Sequence, residues 1–176
     1  MSDSRFTSTA LGAIRLAQEN AVRLGHSYVG SEHLLLGLAS QEYSPAAMAL
    51  RKSGAGSQVL RAAIAQRVGI GVPCPALRQG LTPHCCQAIQ GAVGESRRLG
   101  QRAINSEHLL LGLASQEYSA AARSLQSSGV DSRSLRSAIS QLVGTGVPAR
   151  SLHQGLTPKC CLAIQQAAAA SRRLGQ

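Results

Sequence analysis

A chain of 176 residues is long enough to bury a core as one domain or as two small ones. Its residues are 44% apolar but only 2% aromatic, so the core must be built from aliphatic side chains, which favours packed helices over a β-sheet. The net charge of +10 is spread without a run of five basic residues, and no window of 18 apolar residues could span a membrane. We therefore expect an all-α protein. Its compartment is expected to be the cytoplasm, because the polar N-terminus does not resemble a signal peptide.

An internal repeat is the main feature of the sequence. The segment SEHLLLGLASQEYS at residues 31–44 returns unchanged at residues 106–119. When residues 7–79 are aligned with residues 82–154, 39 of 73 positions match without a gap. The chain is therefore expected to contain two copies of one structural unit.

The repeat predicts three regions. Repeat one spans residues 1–79 and repeat two spans residues 80–154, and together they are expected to form one globular domain. Residues 155–176 match the beginning of repeat two at 16 of 22 positions. We expect this last region to supply the first helix of a truncated third repeat.

Each full repeat is expected to contain four helices. The first runs from Ser8 to Leu24, where the apolar side chains of Leu11, Ile14, Ala17, Ala21 and Leu24 have helical spacing. Its counterpart in repeat two starts with Thr82 as the N-cap and Pro83 at the first helical position, which is a strong start signal.

The second helix of each repeat carries the sequence LLLGLAS, which is apolar nearly all round and typical of a buried central helix. We expect Ser31 and Ser106 to be its N-caps. The third and fourth helices are predicted at 45–53 and 57–68 in repeat one, and at 120–128 and 132–143 in repeat two. Each repeat then ends in a segment of about 11 residues rich in Gly and Pro, long enough to leave the orientation of the repeats open.

A ninth helix is predicted at residues 157–174. It has an apolar stripe, but the helices that would cover this stripe in a full repeat are missing from the sequence. We expect it to pack on repeat two or on another copy of the protein, which would allow self-association.

Several motifs resemble the Clp N-terminal repeat at the front of ClpC- and ClpA-type unfoldases. They are RFT near the start, RLGH at the end of the first helix and GSEHLLLGL after it, followed in the second copy by LTP, RRLG and SEHLLLGL. The resemblance covers nearly the whole chain and implies two four-helix repeats in a pseudo-twofold arrangement. It also implies a domain that captures protein substrates and adaptors for an ATPase ring and its peptidase partner.

The same resemblance implies candidate partner-binding residues. In ClpC-type members, the Glu of each Thr/Ser-Glu-His motif helps to hold phosphoarginine on substrates, and these positions fall on Glu32 and Glu107. Thr7 and Thr82, which begin the first helix of each repeat, complete the set. A carboxylate suits a guanidinium, which it can bind through two hydrogen bonds. A carboxylate in the first turn of a helix is also favoured by the helix dipole without any binding role.

No catalytic centre, cofactor or metal site is expected. The two lysines of the chain do not follow a glycine, so the phosphate-binding motif of an ATPase is absent from it. His33 and His108 lack the spacing of a zinc-protease helix, and we expect them to be buried, hydrogen-bonded or capping residues. Neighbouring residues of a helix point about 100° apart, so the adjacent pairs Cys85–Cys86 and Cys160–Cys161 are not expected to present two thiolates to one metal ion, and we expect them to pack as small apolar side chains.

The predicted function is that of a non-catalytic protein-binding module, which recognises substrates or adaptors for a Clp-type chaperone or protease. One alternative is a severed N-terminal fragment of a ClpC-like ATPase. Another is a basic helical module that binds nucleic acid, which would need a contiguous arginine face and would show a steep dependence on salt. The scarcity of aromatic residues argues against stacking on single strands.

Overall fold

The computed structural model describes residues 5–73, 77 and 79–144. Within these residues the backbone forms eight α-helices and no β-strand, so the predicted all-α class is confirmed. The predicted ninth helix at 157–174, its proposed self-association and the whole third region at 155–176 lie outside the described residues. The predicted boundaries between the three regions stay predictions.

Four helices form each full repeat, as predicted, and their ends agree with the sequence patterns to within one residue. In chain order they are α1 (Ser8–Arg23), α2 (Ser31–Ala39), α3 (Pro45–Lys52), α4 (Ser57–Val68), α5 (Pro83–Arg98), α6 (Ser106–Ala114), α7 (Ala120–Ser127) and α8 (Ser132–Val143).

The predicted N-caps of α2 and α6 are wrong by one residue. Gly30 and Asn105 are the N-caps, while Ser31 and Ser106 already have helical backbone angles. The reason is that a histidine at the third helical position supplies the cap from inside the helix. The Gly30 N–H donates to His33 Nδ1 at 2.9 Å, and the Asn105 N–H donates to His108 Nδ1 at the same distance. The predicted capping role of the two histidines is thereby confirmed.

Helices α1 and α2 pack closely because small residues face each other at their contact. A Cβ atom at Gly37 of α2 would overlap the carbonyl oxygen of Ala13 in α1 and would lie 2.8 Å from the nitrogen of Ala17. The buried face of α1 therefore includes Ala10 and Ala13. The prediction that Leu11 belongs to this face is wrong, because Leu11 is 43% exposed. Gly112 of α6 meets Ala88 and Ala92 of α5 in the same way.

The two repeats pack into one core with pseudo-twofold symmetry. Every residue of α2 is buried, as the LLLGLAS pattern predicts, and α2 contacts α6 at the centre. Around them α3 packs on α8, and α7 packs on α4. The pseudo-twofold axis relates these two pairs, because α7 is the counterpart of α3 and α8 is the counterpart of α4. This packing of the helices, rather than the linker, sets the orientation of one repeat against the other.

Two short backbone bridges join the repeats in the same symmetric way. Phe6 pairs with Ile104 in front of α6, and Leu81 pairs with Val29 in front of α2. The start of each repeat therefore lies beside the segment that leads into the central helix of the other repeat.

Candidate functional site

Glu32 and Glu107 occupy the second position of α2 and of α6, respectively. Their exposed fractions are only 4% and 1%, although carboxylates are seldom so deeply buried without a basic partner. Among the described residues neither glutamate forms an ion pair with an arginine or a lysine. The partner that a buried carboxylate requires is thus not supplied by a basic residue of the described chain.

The predicted threonines lie at the opposite repeat. The Thr7 N–H donates to the carbonyl oxygen of Ile104 at 3.0 Å, and the Thr82 N–H donates to that of Val29 at 2.9 Å. Thr7 is therefore placed beside the segment that enters α6 and Glu107, while Thr82 is placed beside the segment that enters α2 and Glu32. These four residues were predicted from the sequence, but the position of each threonine beside the segment that leads to the glutamate of the other repeat was not.

Both threonine side chains cap a helix. Thr7 Oγ1 accepts the N–H of Ala10 at 3.4 Å, and Thr82 Oγ1 accepts the N–H of Cys85 at 3.3 Å. Each site thus combines the N-terminal end of one helix with a carboxylate at the N-terminal end of another. These are the positive ends of the helix dipoles, where anionic groups are stabilised.

Two rings adjoin Glu32 in repeat one. His26 stacks on Tyr28 with ring centres 5.4 Å apart, and both rings make edge contacts with His33. Burial and the negative charge of Glu32 raise the pKa of Tyr28. The approach to this carboxylate is therefore lined on one side by imidazole and phenol rings.

His33 is neutral at physiological pH. Burial, together with the electrostatic effect of the adjacent His26 ring, lowers the pKa of His33 to about 4. Its Nδ1 accepts the Gly30 N–H, so its proton must be on Nε2, which lies 2.8 Å from His26 Nδ1 and donates to it. The 3.5 Å separation between His33 Nδ1 and Glu32 Oε1 is accordingly not an ion pair.

The surroundings of Glu107 are different. Asn105 stands where repeat one has Gly30, and its Nδ2 donates to Glu107 Oε1 at 3.1 Å and to Gln101 Oε1 at 2.9 Å. Ser106 Oγ donates to the other carboxylate oxygen at 3.4 Å. Both oxygens of Glu107 are thus in contact with donors of the chain itself.

A third buried carboxylate, which the sequence analysis did not select, is fully paired within the chain. Glu95 of α5 accepts two hydrogen bonds from the Arg136 guanidinium of α8, at 2.6 and 3.0 Å, and lies 3.6 Å from Arg98. Burial opposes ionisation, but the bonds and charge of Arg136 hold the pKa of Glu95 below its usual range. The sequence indicates the separate role of Glu95 only through a difference between the repeats, since the equivalent residue of repeat one is the uncharged Asn20.

A family model of the Clp repeat (R) N-terminal domain matches residues 5–77 and 80–176. The chain belongs to this family. The chloroplastic chaperone protein ClpC1 of Oryza sativa subsp. japonica is 38% identical over 145 residues, which are 82% of this chain and 16% of that protein. A ClpA homolog of Cyanidium caldarium, named as an ATP-binding subunit of the ATP-dependent Clp protease, is 39% identical over 140 residues, or 80% of this chain and 16% of that protein.

Solved structures support the same family. The N-terminal domain of the Clp-associated chaperone ClpD from Arabidopsis thaliana has a TM-score of 0.65 and 26% identity, and covers 79% of this chain and 97% of that domain. The Hsp104 N-terminal domain from Candida albicans has a TM-score of 0.64 at 16% identity, with 80% and 93% coverage, and shares the fold. The chain is therefore a chaperone-related, all-α Clp repeat domain, which spans about 16% of the length of the curated relatives described above.

A metal site is not supported by the geometry of this Clp repeat domain. His26, Glu32 and His33 each offer one ligand atom, and these atoms lie within 4.8 Å of one another. However, a neutral imidazole has one lone pair, and His33 uses it to cap Gly30. The Nε2 that faces His26 carries a proton and cannot coordinate a metal ion without loss of this cap.

The remaining predictions concern the cysteines and the membrane. Cys85 is fully buried in the core, as expected for a small apolar side chain, while Cys86 is half-buried. The second pair, Cys160–Cys161, lies outside the described residues. None of the helices in the described part of the chain is long and apolar enough to cross a membrane.

Proposed function

We propose that this Clp repeat domain is a non-catalytic module that binds substrate or adaptor proteins for a Clp-type chaperone or protease system. The observation that carries the proposal is that Glu32 and Glu107 are nearly buried and have no arginine or lysine partner among the described residues. Glu95 is the internal comparison, since the fold supplies that carboxylate with Arg136. For Glu32 and Glu107, a basic side chain of a bound protein would supply the partner that Arg136 supplies to Glu95.

Arginine is the side chain that fits this position best. A buried carboxylate needs strong hydrogen-bond donors, and a guanidinium presents a planar fork of donors that matches its two oxygens. The neighbouring Tyr28 and His26 rings offer faces on which a guanidinium can stack.

An arginine-phosphorylated partner would use the threonines as well. A phosphoryl group on the guanidinium adds negative charge and acceptor oxygens, which are favoured at the N-terminal end of a helix. Thr7 and Thr82 mark two such ends, and a backbone hydrogen bond holds each of them beside the segment that leads to the glutamate of the opposite repeat. We propose phosphoarginine on protein substrates as the preferred ligand, and a Clp ATPase or peptidase ring as the assembly that receives them.

The experiment compares three fluorescent ligands at physiological salt: an arginine-phosphorylated peptide, its unmodified twin and a random DNA duplex. Each is titrated with the full chain and with the double variant Glu32→Gln/Glu107→Gln. The matched control is Glu42→Gln/Glu117→Gln, which changes a symmetric pair of exposed glutamates and removes the same charge.

We expect selective binding of the phosphorylated peptide, weakened about tenfold or more in the Glu32/Glu107 variant and unchanged in the control. Equal binding of both peptides would reject phosphoarginine while keeping a protein-binding role. Binding of DNA alone, falling steeply with salt, would instead support the nucleic-acid alternative.

Two further expectations belong to the proposal. The cytoplasm is kept as the compartment, although the rice relative is named as a chloroplastic protein. The alternative of a severed ATPase fragment is tested by sequencing the neighbouring genomic region, where an in-frame phosphate-binding motif immediately downstream would support it.

A further inference from the structure

We propose that the two carboxylate sites are unequal, with a tight site at Glu32 and a weaker one at Glu107 that Asn105 keeps closed. The inference rests on the proposed function, and it adds which of the two sites is available to a guanidinium. It comes from the difference between Gly30 and Asn105, because the segments that follow them are identical over 14 residues.

Asn105 occupies the position that a ligand would need. Its Nδ2 donates to Glu107 Oε1 at 3.1 Å and is held in place by Gln101 Oε1 at 2.9 Å. An incoming guanidinium must break the bond to Glu107 and displace the Asn105 amide, and this cost lowers the affinity of the Glu107 site. Glu107 is also the more deeply buried of the two glutamates, with 1% of its surface exposed against 4% for Glu32.

Gly30 leaves the corresponding space to the carboxylate. A Cβ atom built on Gly30 would overlap both carboxylate oxygens of Glu32, so this conformation of Glu32 requires a residue without a side chain. Within the described residues, Ser31 Oγ at 3.3 Å is the one side-chain hydroxyl or amide that donates to Glu32. The second oxygen, Oε1, is therefore left for a donor from a partner.

The rings around Glu32 add to the difference. Repeat one has His26 and Tyr28, whose rings stack at an interplanar angle of 4°, whereas repeat two has Gln101 and Ala103 at these positions. A guanidinium gains from contact with an aromatic face, and this gain is available at Glu32 but not at Glu107. Backbone, hydrogen bonds and aromatic contacts thus favour the same site.

The test is isothermal titration calorimetry of the full chain with the arginine-phosphorylated peptide. We expect one tight site per chain, which Glu32→Gln weakens about tenfold or more while Glu107→Gln changes affinity less than about twofold. Asn105→Gly should open the second site and bring the stoichiometry to two. The extended backbone at Gly30 also allows the reciprocal Gly30→Asn, whose Cβ should force Glu32 out of its present conformation and so close the first site.

The possible outcomes distinguish failure of the inference from failure of the proposed function. Two sites of equal affinity in the wild-type chain, or a greater loss from Glu107→Gln than from Glu32→Gln, would overturn the inference and leave the proposed function intact. Absence of binding to the wild-type chain and to Asn105→Gly would overturn both. A folded state of each variant, checked by circular dichroism and by its unfolding temperature, shows that a loss of affinity arises at the site.

Discussion

The entries to α2 and α6 show how one sequence segment can have two different environments. Both helices begin with the identical SEHLLLGLA, and in both a histidine caps the helix from its third position. Yet Glu32 lies over Gly30 beside two rings, whereas Glu107 accepts a hydrogen bond from Asn105. The difference arises from the residues that precede the identical segment, so identical motifs do not imply identical sites.

A second difference separates the repeats at their first and fourth helices. Repeat two joins α5 to α8 by the ion pair between Glu95 and Arg136. Repeat one has Asn20 at the position of Glu95, and its side chain donates to the carbonyl oxygen of Leu16 in its own helix, at 2.8 Å. The repeats therefore share a backbone arrangement but are stabilised by different polar contacts.

The largest effect is expected where the repeats are most alike. Gly37→Ala and Gly112→Ala each place a Cβ against the backbone of the neighbouring first helix, and should lower the free energy of unfolding by about 3 kcal/mol. Chemical denaturation monitored by circular dichroism measures this loss. The two losses should be similar, because the contacts of both glycines are the same.

Gly94→Ala is the control for these two variants. Gly94 lies within α5 and a Cβ there meets no atom within 4 Å. Since Ala is a better helix former than Gly, we expect a gain of about 0.5–1 kcal/mol. A loss comparable to that of Gly37→Ala would show that the close helix contact is not the cause.

Acid is expected to destabilise the protein through its capping histidines. The pKa of His33 is about 4 in the folded state and 6.5 as its ordinary value, so the unfolded chain binds the proton first as pH falls. The stabilisation is complete above pH 6.5 and is lost as pH falls toward 4, at a cost of about 2 kcal/mol at pH 5. Denaturation at a series of pH values measures it.

His33→Gln sharpens the contrast between the repeats. Glutamine can accept the Gly30 N–H from the third position, but it does not titrate. The variant should flatten the stability profile between pH 6.5 and 4 more than His108→Gln does. Burial lowers the pKa of His108 too, but the charges of Glu107 and Glu95 oppose this shift. An equal effect of both variants would contradict the unequal surroundings of the two histidines.

Loss of a positive charge should destabilise the protein when it breaks the pair between Glu95 and Arg136 in repeat two, but not when it is made at the equivalent position of repeat one. Arg136→Gln removes both hydrogen bonds to Glu95 and should cost about 1.5 kcal/mol of unfolding free energy. Arg61→Gln changes the equivalent residue of repeat one, which is exposed, and should be nearly neutral. Equal losses would indicate a general effect of positive charge rather than this pair.

The smallest effect is expected at the two N-cap threonines. Thr7→Ala and Thr82→Ala should each cost about 1 kcal/mol of stability, because each removes an accepted backbone N–H. The two variants should differ in binding of the phosphorylated peptide, with Thr82→Ala the weaker binder, because Thr82 adjoins the segment that leads to Glu32. Peptide titration beside thermal unfolding tests this, and Thr82→Ser should restore both properties.

Much of the fold could be predicted from the sequence because the signals were local. Thr82–Pro83 marked the start of α5, and the apolar LLLGLA run predicted a helix buried on all sides. Leu11 was misplaced because helical spacing identifies an apolar stripe but does not show that α1 turns its alanines toward Gly37. That contact depends on how closely two helices approach.

The candidate site was predicted less completely. Glu32 and Glu107 were selected through the family resemblance, and their binding role stays a prediction. The bond from Asn105 to Glu107 and the pair between Glu95 and Arg136 could not be predicted, because both depend on side-chain positions. The pair joins residues 41 positions apart in sequence, and no spacing rule connects them.

The central claim is that Glu32 is the carboxylate that receives a basic side chain from a bound protein. It is tested most directly by recording the side-chain carboxyl ¹³C resonances of the full chain by NMR, assigned with Glu32→Gln and Glu107→Gln, while the arginine-phosphorylated peptide is added. We predict that the Glu32 resonance shifts and saturates with the peptide, before any change at Glu107. Saturated binding with an unchanged Glu32 resonance would contradict the account.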